Sequence, residues 1–189
     1  TASVIMEYPN LKRKIGSIGK VISGSSVQLW DENGRELAPG QIGEIVVKTT
    51  GMMSGYFRDD FTQSASFTDG WFHTGDLGYQ DIEGYFFIVD RRKDMIKTLG
   101  FAVSPSEVEG VLLSHHGVQD AAVIGVQDEK CDEIIKAYIV PKPNVTLKQA
   151  DLHHYISNYL ASYKCPAIYE FVEKLPRNNS GKLLKTLLK

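Results

Sequence analysis

Three short stretches of this sequence carry side chains whose types and spacing could do chemistry. The first is Gly70-Trp71-Phe72-His73-Thr74-Gly75-Asp76-Leu77-Gly78. One carboxylate can accept from both hydroxyls of a vicinal diol, and glycine lets the backbone come close to a ligand. The same Thr74-Gly75-Asp76 also fits an ordinary turn with an Asp cap. The second is Val89-Asp90-Arg91-Arg92-Lys93-Asp94-Met95-Ile96-Lys97-Thr98-Leu99-Gly100, whose plainest reading is a solvated charge run between domains. The third is Leu175-Pro176-Arg177-Asn178-Asn179-Ser180-Gly181-Lys182. A lysine beside a glycine on a loop can deliver a point charge to a phosphate or carboxylate. It can equally be a helix start, with Ser180 as N-cap and Lys182 exposed.

The elements that must hold these stretches change in character along the chain. The first half is strand-rich and punctuated by glycine. Val27-Gln28-Leu29-Trp30 reads as a strand followed by a tight turn at Asp31-Glu32-Asn33-Gly34. Pro39-Gly40 makes a second turn before the strand Gly43 to Lys48, and Asp81-Ile82-Glu83-Gly84 turns into Tyr85 to Val89. Such spacing predicts a small barrel or a distorted sheet. After the charged run, a short hairpin is expected over Met95 to Val103. Ser104-Pro105-Ser106-Glu107 then starts a helix, with Ser104 as cap, Pro105 at the first position and Glu107 completing a capping box. Strands follow at Ala121 to Val126 and Ile134 to Val140, a helix capped by Thr146 runs to about Leu160, Glu170 to Val172 is a short strand, and a last helix covers Leu183 to Leu188. The expected fold class is α+β: a strand-rich, barrel-like part over residues 1–92, then a small α+β domain over residues 93–189.

Bulk properties exclude several classes. The 189 residues allow one domain or two small ones, and a net charge of −2 gives no basic face for nucleic acid. No apolar run approaches the ~20 residues that span a bilayer, and no basic-then-apolar leader opens the chain. Cys131 and Cys165 stand alone, as reduced thiols of a cytoplasmic protein would. The chain begins at Thr1 rather than Met, which suggests processing or excision from something longer. The pairs His115-His116 and His153-His154 lack carboxylate or cysteine support, so no metal site is expected. The segment Lys182 to Lys189 is amphipathic and could touch a membrane, although a docked terminal helix explains it more simply.

Taken in order, the three stretches resemble successive motifs of the acyl-adenylate-forming superfamily, which includes acyl-CoA synthetases, peptide-synthetase adenylation domains and luciferases. Gly43-Glu44-Ile45 with Gly55-Tyr56 and Thr62, and Ser104-Pro105 with Glu107-Val108-Glu109, match further motifs of that family. The resemblance covers essentially the whole chain. Asp132 to Ala137 and Asn178 to Lys182 look closest to bacterial medium-chain, fatty-acid and carnitine-type CoA ligases.

The resemblance implies an enzyme that joins ATP and a carboxylic acid into an acyl-adenylate, then transfers the acyl group to the thiol of coenzyme A. Asp76 matches the family aspartate that binds both ribose hydroxyls, with Thr74 beside it, and Arg91 matches an arginine that also reaches the ribose. Lys93 matches the hinge about which the small domain turns. Lys182 matches the lysine that bridges the acyl carboxylate and the nucleotide phosphate during adenylation. The hairpin of Lys97, Leu99 and Gly100 takes its place after rotation and lines the path of the CoA thiol. Two departures stand out: Ala102 where relatives often carry Asn, Gln or Arg, and Leu99 where many have a small residue.

No Ser/Thr/Gly-rich phosphate loop is present, nor the tyrosine-gly-x-thr-glu motif that would hold adenine and Mg2+. Thr1-Ala2-Ser3 looks like the residues just after that motif. The missing N-terminal part of the same enzyme is therefore an expected partner, with the acyl pocket and Mg2+ site in it, and this chain alone is expected to be inactive. Two other readings remain: an adenylation domain that loads a carrier protein, and a non-catalytic docking module.

Overall fold

The computed structural model describes residues 4–9, 12–53 and 66–188. Two compact units divide the chain, the first ending at Lys93 and the second beginning at Asp94. The Gly55-Tyr56 and Thr62 part of the resemblance, and Thr1-Ala2-Ser3, lie outside the described residues.

In the first unit, β1 (Ile5–Met6) and β2 (Lys20–Val21) form a small antiparallel pair. The main sheet contains β3 (Ser25–Trp30), β4 (Gly43–Thr49), β5 (Phe67–Thr68), β6 (Trp71–Gln80) and β7 (Phe86–Arg91). Its order is β3-β4-β6-β5, with β7 also on β6, and all its pairings are antiparallel. Leu29, Ile45, Val47 and Phe86 form its buried centre. Two connections use the same device. Asp31 Oδ1 accepts from the N–H of Asn33 and of Arg35, both at 2.8 Å, and Asp81 Oδ1 accepts from those of Glu83 and Tyr85, both at 2.9 Å. An aspartate that folds onto its own turn fixes it locally, and Gly34 and Gly84 complete the turns at φ +75° and +84°.

The second unit contains β8 (Ile96–Thr98), β9 (Phe101–Val103), α1 (Pro105–Ser114), β10 (Val118–Asp128), β11 (Asp132–Pro141), α2 (Gln149–Ser157) and β12 (Ile168–Phe171). The sheet order is β10-β11-β8-β9, with β12 parallel to β11. Both faces of this sheet are covered. Ala121, Val123, Ile135, Ala137 and Ile139 point to the helix side, where Val108, Leu112, Leu152 and Ile156 meet them. The alternate residues Ala122, Ile124, Tyr138 and Val140 point the other way and pack against Leu175, Leu183 and Leu188. Period-two alternation of apolar residues on both faces explains why β10 and β11 read as near-continuous apolar runs.

Three sequence expectations need correction. The helix from Thr146 to Leu160 is shorter, Gln149–Ser157, and its N-cap is Lys148 with no side-chain cap bond. Leu147 packs on the helix-side core, and that burial keeps the preceding residues out of the helix. The helix over Leu183 to Leu188 is only a 3-10 turn at Lys185–Leu187. Leu183 lies in an antiparallel bridge with Arg177, and Leu184 N–H donates to Pro176 O at 2.9 Å, which holds this stretch extended. Ser180 starts no helix; it sits in a closed loop described below. At the start of α1 the cap and the first position are as expected: Ser104 Oγ accepts from Glu107 N–H at 3.2 Å and Pro105 opens the helix. Glu107's carboxylate is gripped by Lys164 at 2.7 Å. Among the described residues no helix is long and apolar enough to cross a membrane.

Candidate active site

The Thr74-Gly75-Asp76 stretch sits at a break in the first unit's sheet. Glu44 pairs with Leu77 and Val46 pairs with His73, so two steps along β4 answer four along β6. The surplus is a bulge over residues 74–76, with Gly75 at φ +75°. Bulges of this kind re-aim side chains at strand edges. Thr74 Oγ1 donates to Ile45 O at 2.7 Å and accepts from Asp76 N–H at 3.1 Å, which closes the bulge on itself. Asp76 pairs in register with Arg91, and Arg91 Nε meets Asp76 Oδ1 at 3.2 Å. A carboxylate has about four lone-pair sites, so this partly exposed aspartate keeps acceptor capacity for a ligand. Thr74, Gly75, Arg91, Arg92 and Lys93 line an open recess beside it.

Underneath lies Glu44, whose side chain is only 7% exposed. Its Oε1 accepts from Gly75 N–H at 3.1 Å. Its Oε2 meets His73 Nδ1 at 3.1 Å and accepts from Arg92 Nη1 at 2.9 Å. A buried carboxylate is tolerable only when its lone pairs are met by donors. Glu44 therefore ties the bulge to the residue just before Lys93. His73 also reaches Thr68 Oγ1 at 3.0 Å and stands edge-on to Trp30.

In the second unit, β8 and β9 form a hairpin that pairs Thr98 with Phe101 across Leu99-Gly100. Both turn residues are left-handed, Leu99 at φ +50° and Gly100 at +78°. Leu99 is 58% exposed, and Phe101 stacks on Tyr163 with ring centroids 4.4 Å apart. The hairpin is fastened to the start of β11: Thr98 pairs with Asp132, Lys97 N–H donates to Glu133 Oε2 at 2.8 Å, and Leu99 N–H to Cys131 O at 3.3 Å. Lys97 is exposed and directly opposite the departure at Ala102.

Lys182 sits on a separate loop. Asn178 Oδ1 accepts from Lys182 N–H at 2.8 Å, Ser180 Oγ at 2.8 Å and Ser180 N–H at 3.1 Å, and Asn178 N–H donates to Lys182 O at 2.9 Å. Arg177 then ties the loop to the beginning of β10 through Asp120. Asp120 and the Asp128 turn lie eight residues apart, roughly 26 Å along a strand at ~3.3 Å per residue. The Lys182 loop and the Lys97 hairpin are thus attached at opposite ends of the β10–β11 ribbon. Among the described residues no ion pair engages the ammonium of Lys93, Lys97 or Lys182.

The structure brings Thr74, Asp76, Arg91 and Lys93 together in the first unit; within the second it brings Lys97, Leu99 and Gly100 together and attaches the Lys182 loop at the other end of the β10–β11 ribbon. Sequence reasoning assigned no role to Glu44, Arg92, Asn178, Arg177 or Asp120. Glu44 had a signal, a charge placed directly before the apolar Ile45-Val46-Val47, but its partners come from β6 and from the end of β7 onward and are invisible locally. Among the described residues no group of three or more His, Cys, Asp or Glu side chains could hold a metal.

Two family models match the chain: the AMP-binding enzyme model over residues 1–57 and the AMP-binding enzyme C-terminal domain model over residues 107–182. Over 172 residues the chain is 43% identical to a 2-succinylbenzoate–CoA ligase of Bacillus licheniformis, covering 91% of this chain and 35% of that protein. It is 42% identical over 171 residues to a fatty acid–[acyl-carrier-protein] ligase of Streptomyces coeruleorubidus, covering 90% of this chain and 33% of that protein. The o-succinylbenzoate CoA synthetase of Bacillus subtilis, solved in complex with its acyl-adenylate intermediate, superimposes with a TM-score of 0.84 at 40% identity, covering 93% of this chain and 36% of that one. With both models matched in order on a shared fold, the chain belongs to the AMP-binding, adenylate-forming enzymes. It spans about a third of the length of these relatives.

Proposed function

We propose that this chain is the C-terminal part of an ATP-dependent acid–CoA ligase. In the first half-reaction a carboxylate oxygen of the acid attacks the α-phosphorus of ATP, and the bond to pyrophosphate breaks. In the second, the thiol sulfur of coenzyme A attacks the acyl carbon, and AMP leaves with the electrons of the carbon–oxygen bond. Asp76 accepts from the ribose hydroxyls, with Arg91 and Thr74 beside it. Lys182 supplies a fixed cation against the charge that develops on the carboxylate and phosphate during adenylation, an effect worth ~3–4 kcal/mol for a well-placed donor. Lys93 is the hinge, and Lys97, Leu99 and Gly100 line the approach of the thiol once the second unit has turned. Magnesium would accompany ATP, and the described residues offer no ligand set for it.

The observation that carries this reading is the separation of Lys97 from Lys182. Side chains whose loops are fastened roughly 26 Å apart along one ribbon cannot serve one reaction centre at the same moment. A unit that presents one end for adenylation and the other for thioester formation uses both. Pyrophosphate exchange by the full-length enzyme across a panel of carboxylic acids tests the proposal. Exchange that depends on an acid supports it; no exchange with any acid refutes it.

A second reading is favoured by the carrier-protein ligase among the relatives: the acyl group passes to a carrier-protein thiol instead of CoA. Comparing free CoA with a phosphopantetheinylated carrier protein as acceptor for the same acyl-adenylate separates the two.

A further inference from the structure

We propose that Asp120 and Arg177 are positioning residues for Lys182, fixing its loop for acyl-adenylate formation. The inference rests on the adenylation role proposed above. Lys182 is exposed, and its loop is shaped internally by Asn178, which accepts three bonds within five residues. That closure makes the loop rigid but does not fix it to the domain. Arg177 does so with two different donors: Nη1 to Gly181 O at 2.8 Å and Nη2 to Asp120 Oδ2 at 2.7 Å. One planar guanidinium thus grips the backbone immediately before Lys182 and the start of β10, 57 residues away. Leu183, immediately after Lys182, packs on the sheet below. The lysine is therefore bracketed by a polar anchor on one side and an apolar anchor on the other.

Arginine suits this task and lysine does not, because the fork places two donors in fixed directions at once. The pair is too exposed, at 44% and 28% of the two side chains, to add much to folding. Its value lies in geometry: a catalytic group misplaced by about 1 Å can cost up to ~10²-fold in rate.

The test uses single-turnover half-reactions of the full-length enzyme. Asp120→Asn should slow acyl-adenylate formation by roughly 10-fold. It should leave both conversion of a supplied acyl-adenylate to thioester and the thermal midpoint unchanged. Arg177→Gln and Arg177→Lys should do the same, Asp120→Glu should recover most of the rate, and the double variant Asp120→Asn/Arg177→Gln should be no slower than either single one, because both break the same clamp. Wild-type adenylation by Asp120→Asn, equal loss in both half-reactions, or multiplying losses in the double variant would each overturn the proposal. Lys182→Ala, run alongside, separates the two levels. If Lys182→Ala cripples adenylation and Asp120→Asn does not, only the clamp is wrong. If Lys182→Ala spares adenylation, the role given to Lys182 falls with it.

Discussion

Replacing Glu44 with Gln probes whether a buried carboxylate holds the bulge over residues 74–76 in shape. The substitution keeps size and shape but exchanges one acceptor oxygen for an amide that can only donate. Oriented to keep its oxygen on Gly75 N–H, the new side chain would turn that amide toward Arg92 Nη1, a donor 2.9 Å from the present Oε2, and toward His73 Nδ1 at 3.1 Å. Hydrogen bonds to charged groups are worth ~1.5–3 kcal/mol each. Arg92 is 55% exposed and can turn to water, so its share is discounted, and the net loss should be about 2–3 kcal/mol. For a chain of this size each kcal/mol moves the thermal midpoint by ~2–4 °C, so a fall of about 4–12 °C is expected on the 189-residue chain. In the full-length enzyme the same change should raise KM for ATP, because Gly75 and Asp76 share the bulge that Glu44 supports. Calorimetry and steady-state kinetics measure the two effects. An unchanged midpoint together with an unchanged KM for ATP would refute the idea that Glu44 braces this site.

Other perturbations reach different parts of the molecule. Gly78→Ala should destabilise the first unit by about 3 kcal/mol, near the upper end for an overpacked site, since its Cβ would stand 2.4 Å from Phe87 O and 2.8 Å from Ile45 Cδ1. Gly75→Ala meets no atom within 4 Å and should lose only the left-handed backbone preference, about 1 kcal/mol; urea unfolding of the pair decides it. Leu99→Asn should stabilise the second unit by ~0.5–1 kcal/mol, because Asn-Gly suits a two-residue turn with both φ angles positive, as a raised denaturation midpoint would show. Burial, and then neighbouring His116, hold the His115 imidazole below its ordinary range against a weaker pull from Asp151, while Nδ1 accepts from Gly117 N–H at 3.1 Å. The neutral form favours the fold, so its contribution is complete above about pH 6.5 and is lost as the pH falls below that; a thermal midpoint that drops between pH 7 and 5 should drop less in His115→Asn.

Local chemistry was legible in the sequence wherever a residue acts on its own neighbours. Asp31 and Asp81 fold onto turns they themselves start, Ser104 caps the helix three residues on, and Leu99-Gly100 closes its own hairpin. Alternating apolar residues made β10 and β11 readable, although each extends beyond the expected bounds because the hairpin continues pairing out to Asp128 and Asp132. Errors arose where a distant surface outcompeted local preference. Leu147 is drawn onto the core and delays α2, and Leu183 and Leu188 anchor separately on the sheet where a terminal helix was expected. The site divides in the same way. Thr74, Asp76, Arg91, Lys93, Lys97 and Lys182 stood out through motif order, whereas Glu44 with Arg92, and Asp120 with Arg177, are pairs separated by 48 and 57 residues. No local pattern announces such a pair; only the sheet register brings its members together.

The proposed division of labour between the two ends of the second unit is tested most directly by single-turnover half-reactions of Lys182→Ala and Lys97→Ala in the full-length enzyme. Lys182→Ala should slow acyl-adenylate formation by roughly 10²–10³-fold and largely spare conversion of a supplied acyl-adenylate to thioester. Lys97→Ala should do the reverse. Equal damage to both half-reactions by Lys182→Ala would contradict the account.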